Sequence, residues 1–392
     1  MALSFKEIIS VFIRNICVIR VLKTLLRQPL GVGLLYLLCG CITKYEAKGI
    51  DETADILVVE GIITDEESTI TLSRSIGLTE GNAGNYFVNN ARVYVECDDE
   101  TRWQAEPYIF DEWAPQNGRY TIKTGQLNME RTYRLKIEID ELPAQTSECC
   151  SDYSCPIQTP EIDSVFWMKR GQGQPVMIHV ATHSPDNDVL YYRWSYQEDW
   201  EINSEIMVDN YPYYCWNVSK SKDILVGSAE KTVFGRITDK LTEISPRDRR
   251  FSVLYQIDVK QNAISKRAYD YFANIKKNAQ QTGSIFAPTP SELRGNIICT
   301  TDPDKPVIGY MDVSTTSQKR RYIWPREVYE RPSSNCPFYT SEELYDTYGD
   351  DIAANPESFW ENWVDVLGSY VSITCVDCTW HGTTQKPDDW PK

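Results

Sequence analysis

From Ile56 onward the chain alternates apolar and polar positions with a period of two, in short runs closed by acidic, Gly or Asn residues. The runs Ile56–Ile63, Ser68–Arg74, Ala91–Cys97, Gly118–Lys123 and Thr132–Ile139 carry β-branched residues on one face, as half-buried strands do. A second series starts at Glu161 and includes Glu161–Trp167, Pro175–Thr182 and Val189–Tyr196. In the last of these Leu190, Tyr192 and Trp194 fall on one face and Tyr191, Arg193 and Ser195 on the other. Phe251–Lys260, Gly295–Thr300 and Val307–Val313 continue it. Only one segment has a strong helical period: Ser265 is suited to cap it, Ala268, Phe272, Ile275 and Ala279 recur along one face, and Gly283 supplies a stop, predicting a helix over 265–282.

The fold class expected is therefore all-β in the main, with two β-sandwich domains. The first, residues 54–147, has the size of an immunoglobulin-like or transthyretin-like sandwich. The second, residues 161–392, has a strand set like that of fibronectin type III, with the helix inserted and an irregular aromatic-rich tail. Residues 148–160, with three cysteines and two prolines, read as a linker stapled by disulfides. Trp103, Tyr108, Phe110 and Trp113, in the connection before Gly118, are expected to anchor a loop.

The N-terminal forty residues follow a different pattern. The run Gly31–Leu38 is apolar, Arg20, Lys23 and Arg27 precede it, and Leu38-Cys39-Gly40-Cys41 closes it. A basic segment, a short apolar run and small residues before a cysteine form a secretion signal whose cleavage exposes that cysteine for acylation by palmitate-type chains. A transmembrane anchor is the competing reading, but Arg14, Arg20, Lys23 and Arg27 interrupt the run, and a spanning helix needs about 20 apolar residues. The expectation is a signal peptide at 1–40, lipidation at Cys41 and a polar tether at 41–53. Ile42, in place of Asp, leaves the chain free to reach an outer membrane.

Charge supports covalent attachment over electrostatic attachment. Residues 1–40 hold five basic residues and one acidic residue, so the chain from Cys41 keeps 35 basic and 55 acidic residues, a net charge of −20. Such a surface repels nucleic acid and anionic lipid. The cysteines agree with export, because nine follow Cys41 and an oxidising compartment pairs them. Val93, Val95 and Cys97 alternate onto one face, which marks Cys97 as a core thiol. The disulfide candidates are Cys149, Cys150, Cys155, Cys215, Cys299, Cys336, Cys375 and Cys378. Local pairing of Cys149 or Cys150 with Cys155, and of Cys336 with Cys375 or Cys378, is favoured among the 105 connectivities that eight cysteines allow.

The sequence is poor in catalytic patterns. It has three histidines, no Gly-rich phosphate loop and no Gly-X-Ser-X-Gly elbow. His179 and His183 have no nearby partner at metal-ligand spacing. Cys375-Val-Asp-Cys378 before His381 suits disulfides better than a zinc knuckle, and Asp302, Asp304, Asp350 and Asp351 lack a full calcium loop. No cofactor or resident metal is expected. Asp163-Ser164-Val165 has the form of a short bacterial O-glycosylation acceptor, although it also opens a strand.

Residues 322–365 are the most suggestive for binding. Aromatics there are interrupted by Pro, Asp and Glu without regular period, and Trp324, Tyr329, Tyr339, Tyr345, Trp360 and Trp363 are candidates for ligand or partner contact. Packing of these rings against the second domain is the alternative.

The lipobox, Leu57–Asp65, Tyr191-Tyr-Arg-Trp194, Cys215-Trp216, the strand-helix-strand block ending at Gly283–Phe286, Gly295-Asn296 and the tail Cys375–Cys378 with Lys386-Pro387 together resemble the domain-of-unknown-function family 4249, over essentially the whole mature chain. That resemblance implies a Bacteroidetes-type outer-membrane lipoprotein, often encoded beside a TonB-dependent receptor, and no catalytic motif. The function expected is a non-enzymatic accessory or ligand-binding subunit of a TonB-dependent transporter, of unknown ligand, held to the outer membrane by its lipid. An adhesive envelope protein recognising a host or neighbouring surface is the alternative, and a glycan-active enzyme comes third.

Overall fold

Strands form where the alternation predicts them, and what they pair with comes from a computed structural model. It describes residues 56–75, 86–107, 117–141, 145–186, 188–281, 295–329 and 335–391. The lipobox, the tether and Tyr108, Phe110 and Trp113 lie outside the described residues. The chain is mainly β, as expected.

Two five-stranded sheets make the first sandwich. One runs in the order Val307–Gly309, Leu57–Glu60, Glu66–Arg74, Arg119–Gly125, Glu106–Pro107, and the other Ile297–Cys299, Gln145–Ser151, Tyr133–Glu141, Ala91–Cys97, Arg102–Gln104. Ile70, Leu72, Val95, Ile122, Leu135 and Ile137 fill the space between them. The Tyr133–Glu141 strand shows why: Tyr133, Leu135, Ile137 and Ile139 turn inward, while Arg134, Lys136 and Glu138 turn out. The outward residues pair across strands, with Arg134–Glu96 at 2.7 Å, Lys136–Glu148 at 2.8 Å and Arg92–Glu138 at 3.1 Å. Each such pair stabilises by about 1 kcal/mol at most, but together they leave this face electrically balanced. Cys97 is a buried free thiol, and Trp103, expected to anchor a loop, lies in the Arg102–Gln104 strand opposite Val95 and packs against this core.

The first sandwich draws on more chain than residues 54–147. Ile297–Cys299 joins one sheet beside Gln145–Ser151, and Val307–Gly309 joins the other, parallel to Leu57–Glu60. Ile297, Cys299, Val307, Met311 and Val313 are thus members of its core. Periodicity marks a strand without saying which sheet it enters. For the same reason Glu148–Ser151, expected in a linker, completes a sheet strand.

In the second sandwich Ile162–Lys169, Val176–Thr182 and Ile237–Ile244 pack against a sheet ordered Tyr214–Lys220, Tyr191–Asn203, Leu254–Ala263, Thr316–Ile323. Tyr192, Phe251, Tyr255, Ile178 and Ile257 are fully buried between them. The helix spans Lys266–Gln281 and lays Ala268 on the outer face of the larger sheet, beside Tyr191, Val226 and Ile264. Ser265 caps it, accepting from the Ala268 amide at 3.2 Å, and its own amide donates to Asp312 Oδ2 at 2.6 Å.

Asp199, on that outer face, is only 3% exposed. It accepts from Gln197 Nε2 at 3.1 Å and Gln256 Nε2 at 3.3 Å, and it forms no ion pair among the described residues. Burial raises its pKa. A carboxyl whose folded pKa is raised binds its proton more tightly when folded, so stability falls as pH rises from the unfolded value through the folded one, and the full cost stands at neutral pH. Asp199→Asn should therefore stabilise the protein by about 1 kcal/mol at pH 7, since its amide can also donate to the unpaired Gln256 Oε1. Urea unfolding at pH 7 and in the carboxylate range checks this, and the gain should shrink as the pH falls.

Candidate functional site

The residues that follow the second sandwich form a small unit of their own at one end of its larger sheet. The strand register brings Asn203, Tyr214, Leu254 and Ile323 to that end. Beyond it come a helix at Ser341–Ala354, a short helix at Pro356–Trp360 and a hairpin of Trp363–Val366 with Ser369–Ser372. Local sequence sets each of these. Thr340 and Glu343 make a capping box, the Thr340 hydroxyl accepting from the Glu343 amide at 3.2 Å while the Thr340 amide donates to Glu343 Oε2 at 2.7 Å. Asn355 and Pro356 start the second helix, and Leu367 and Gly368, at φ +55° and +85°, supply the left-handed pair a two-residue hairpin turn needs.

Tertiary contacts fix the unit in place. Val364, Val371, Cys375 and Val376 form a core with Ile206, Val208 and Tyr211. Disulfides join Cys336 to Cys375 and Cys215 to Cys378. The tail then pairs Trp216 with Thr383 on the open edge of the Tyr214–Lys220 strand, and Trp390 donates to Glu201 Oε2 at 3.0 Å.

Seven rings of this unit touch in one continuous cluster. Tyr339 meets Trp363 at 5.4 Å between centroids and Tyr348 at 6.3 Å; Phe359 meets Trp363 at 5.9 Å and Trp360 at 5.4 Å; Trp360 meets Tyr370 at 5.1 Å and Tyr345 at 6.2 Å. None of the seven is buried, in contrast to Tyr192 and Tyr255 in the sandwich core. Edge-to-face, tilted and stacked contacts hold the rings to one another; Tyr345 is exposed and the other six are half-buried.

Of the sequence candidates, Tyr339, Tyr345, Trp360 and Trp363 enter this cluster. Trp324 and Tyr329 do not. Trp324 lies 5.6 Å from the Arg326 guanidinium, and Tyr329 stands 85% exposed at φ +53°. Tyr348 and Phe359, aromatics of the same 322–365 stretch but not among the six contact candidates, and Tyr370, which lies beyond it, complete the cluster. The spacing of Tyr345 and Tyr348 on one helix, and the alternation of Tyr370 with buried Val371, were signals for them.

The cysteines partly depart from expectation. Cys336 bonds Cys375, one of its two favoured partners, but Cys149 bonds Cys299 across adjacent strands rather than a local cysteine. Cys150 faces the other side of its strand as a buried thiol, and Cys155 is free and exposed. Strand pairing, invisible in sequence spacing, puts Cys299 directly opposite Cys149.

The Glu198 cluster is satisfied from within, whereas His381 Nε2 is buried without a hydrogen-bond partner among the described residues. Glu198, 3% exposed, accepts from Arg250 Nη1 at 3.0 Å and from the Tyr255 hydroxyl at 2.7 Å, while Asp248 takes the other side of the guanidinium. Burial first, then the Glu198 charge, holds the Tyr255 phenol well above its ordinary range. His183 pairs with Asp163 at 2.8 Å, and His179 stacks on Phe166 at 5.6 Å. Burial, then Arg249, lowers the pKa of His381. Among the described residues no group of three or more His, Cys, Asp or Glu is placed to hold a metal ion. None of the described helices is long and apolar enough to cross a membrane.

Residues 42–320 match the family described as a domain of unknown function, DUF4249. The chain belongs to this family. No curated protein matches it. The DUF4249 match ends inside the Thr316–Ile323 strand, so it takes in both sandwiches and the helix. The ring cluster and the Cys375–Cys378 tail, which the sequence resemblance had included, follow the matched residues.

Proposed function

We propose that the protein is an outer-membrane lipoprotein of a Bacteroidetes-type bacterium, acting without catalysis as an accessory or ligand-binding subunit of a TonB-dependent transporter. The seven-ring cluster carries this reading: half-buried rings edged by the exposed Tyr345, on a disulfide-tied unit, offer a recognition surface whose geometry is set before the partner arrives. The Leu38–Cys41 signal and the acidic chain that follows supply the anchoring half of the argument, because a surface repelled by anionic lipid depends on acyl chains to stay at a membrane.

Purifying the tagged protein from detergent-solubilised outer membrane should bring a β-barrel receptor with it, and repeated recovery without any barrel would overturn the assignment. Cys41→Ala should move the protein from the membrane to the soluble fraction, read by fractionation and immunoblot.

A further inference from the structure

The charge around the ring cluster is one-sided. Residues 335–385 contain nine carboxylates and no Lys or Arg. Among the described residues Glu342, Asp346, Asp350, Asp351, Glu357 and Glu361 form no ion pair. The outer face of the first sandwich is the opposite case, with Arg92, Arg102, Arg134 and Lys136 opposed to Glu96, Glu138 and Glu148. Excess acid is thus concentrated in the segment that carries the rings. Asp350 and Asp351 also lie toward the C-terminal end of the Ser341–Ala354 helix, where the helix dipole disfavours negative charge.

We propose that this unit docks a cationic polypeptide segment, whose Arg and Lys side chains meet the exposed Tyr345 ring and its neighbours and pair with the exposed carboxylates of the same unit. The inference rests on the reading of the protein as a binding subunit and names the chemistry of its partner. Guanidinium and ammonium groups are attracted to aromatic faces and pair with carboxylates, so one kind of side chain satisfies both features. A neutral sugar would cover the rings but desolvate the carboxylates with no opposite charge in return. Nucleic acid and anionic lipid are repelled. The carboxylates extend along a 14-residue helix, which spans about 20 Å, further than one small amine can reach. A chain bearing several cations matches that length.

The test titrates the purified full chain in detergent with a synthetic peptide of alternating arginine and glycine, by calorimetry at low and physiological salt. Tyr345→Ala with Trp360→Ala leaves the charge unchanged and should weaken binding about tenfold, two cation–π contacts' worth. Asp346→Asn, Asp350→Asn and Asp351→Asn together, all exposed, should weaken it and flatten its salt dependence. Neutralising Glu106, Glu130 and Asp186, exposed acids elsewhere, should leave affinity unchanged. Circular dichroism of each variant separates lost contact from lost fold. Equal weakening by the distant set would reduce the binding to general attraction and overturn the proposal, as would ring-dependent binding of xylohexaose in place of the peptide. Failure to recover a barrel with intact, ring-dependent peptide binding would sink the transporter assignment alone.

Discussion

Gly295→Ala is expected to be among the most damaging single substitutions in the chain, lowering stability by roughly 3–5 kcal/mol, the range of severe overpacking at a site that cannot relax. A Cβ on Gly295 would stand 1.5 Å from the Gly309 carbonyl oxygen and 2.6 Å from its carbon. Backbone, not a flexible side chain, is the obstacle, so one strand must move. Gly309 cannot retreat, because it pairs with Val59 in the parallel ladder and its own Cβ position already lies 2.6 Å from the Val59 carbonyl oxygen. Residue 295 cannot retreat either. The next residue, Asn296, is locked to Met311 by a reciprocal pair, its Nδ2 donating to Met311 O at 2.7 Å and its Oδ1 accepting from Met311 N at 2.8 Å. The returning strands would leave both sheets of the first sandwich, exposing Ile297, Val307 and Met311. A urea midpoint shift of that size checks the expectation, and a variant as stable as the parent would show that the two glycines need not approach.

Replacing Cys215 and Cys378 by serine should have the second large effect, of a different kind. The bond closes a sequence separation of 163 residues, and losing such a constraint costs roughly 2–5 kcal/mol. The loss should fall unevenly. Residues 335–391 have one apolar cluster of four buried side chains, with Leu344, Ile352, Cys378 and Trp390 buried outside it, too little to hold by itself, whereas each sandwich keeps its sheets and its own apolar interior. The Cys215–Cys378 bond, the Trp216–Thr383 bridge and the contact with Ile206 and Val208 are what attach that unit. Opening should therefore be local: faster hydrogen exchange and proteolysis within 335–391, a red shift of Trp360 and Trp363 fluorescence, and unchanged protection in both sandwiches. A single transition with uniform exchange would contradict this picture. The variant should also lose affinity for the arginine peptide, because the rings would no longer be held together.

How much of this was legible in the sequence follows from the range of each interaction. The Tyr133–Glu141 strand, the Ser265 cap and the Cys97 thiol were readable because alternation and capping involve neighbours a few residues apart. The Cys149–Cys299 bond was not, because its partners are 150 residues apart and meet only through strand register. Four of the six chosen aromatics fall in the ring cluster, since aromatic density is visible in sequence. Trp324 and Tyr329 were indistinguishable from them, because which rings touch depends on the turn at residue 329 and on the hairpin that carries Tyr370.

By itself, the sequence determined most of the strands, the Lys266–Gln281 helix, the acidic balance and the signal-like Leu38–Cys41, all of which are matters of local pattern and composition, but not the Ser341–Ala354 helix in the tail expected to be irregular. Only the tertiary structure decided that residues 297–309 return to the first sandwich, that the tail seals the edge of the second, and that seven rings and a group of unpaired carboxylates share one small unit. Those outcomes depend on close backbone approach and on surfaces brought together from distant parts of the chain, which no periodicity encodes.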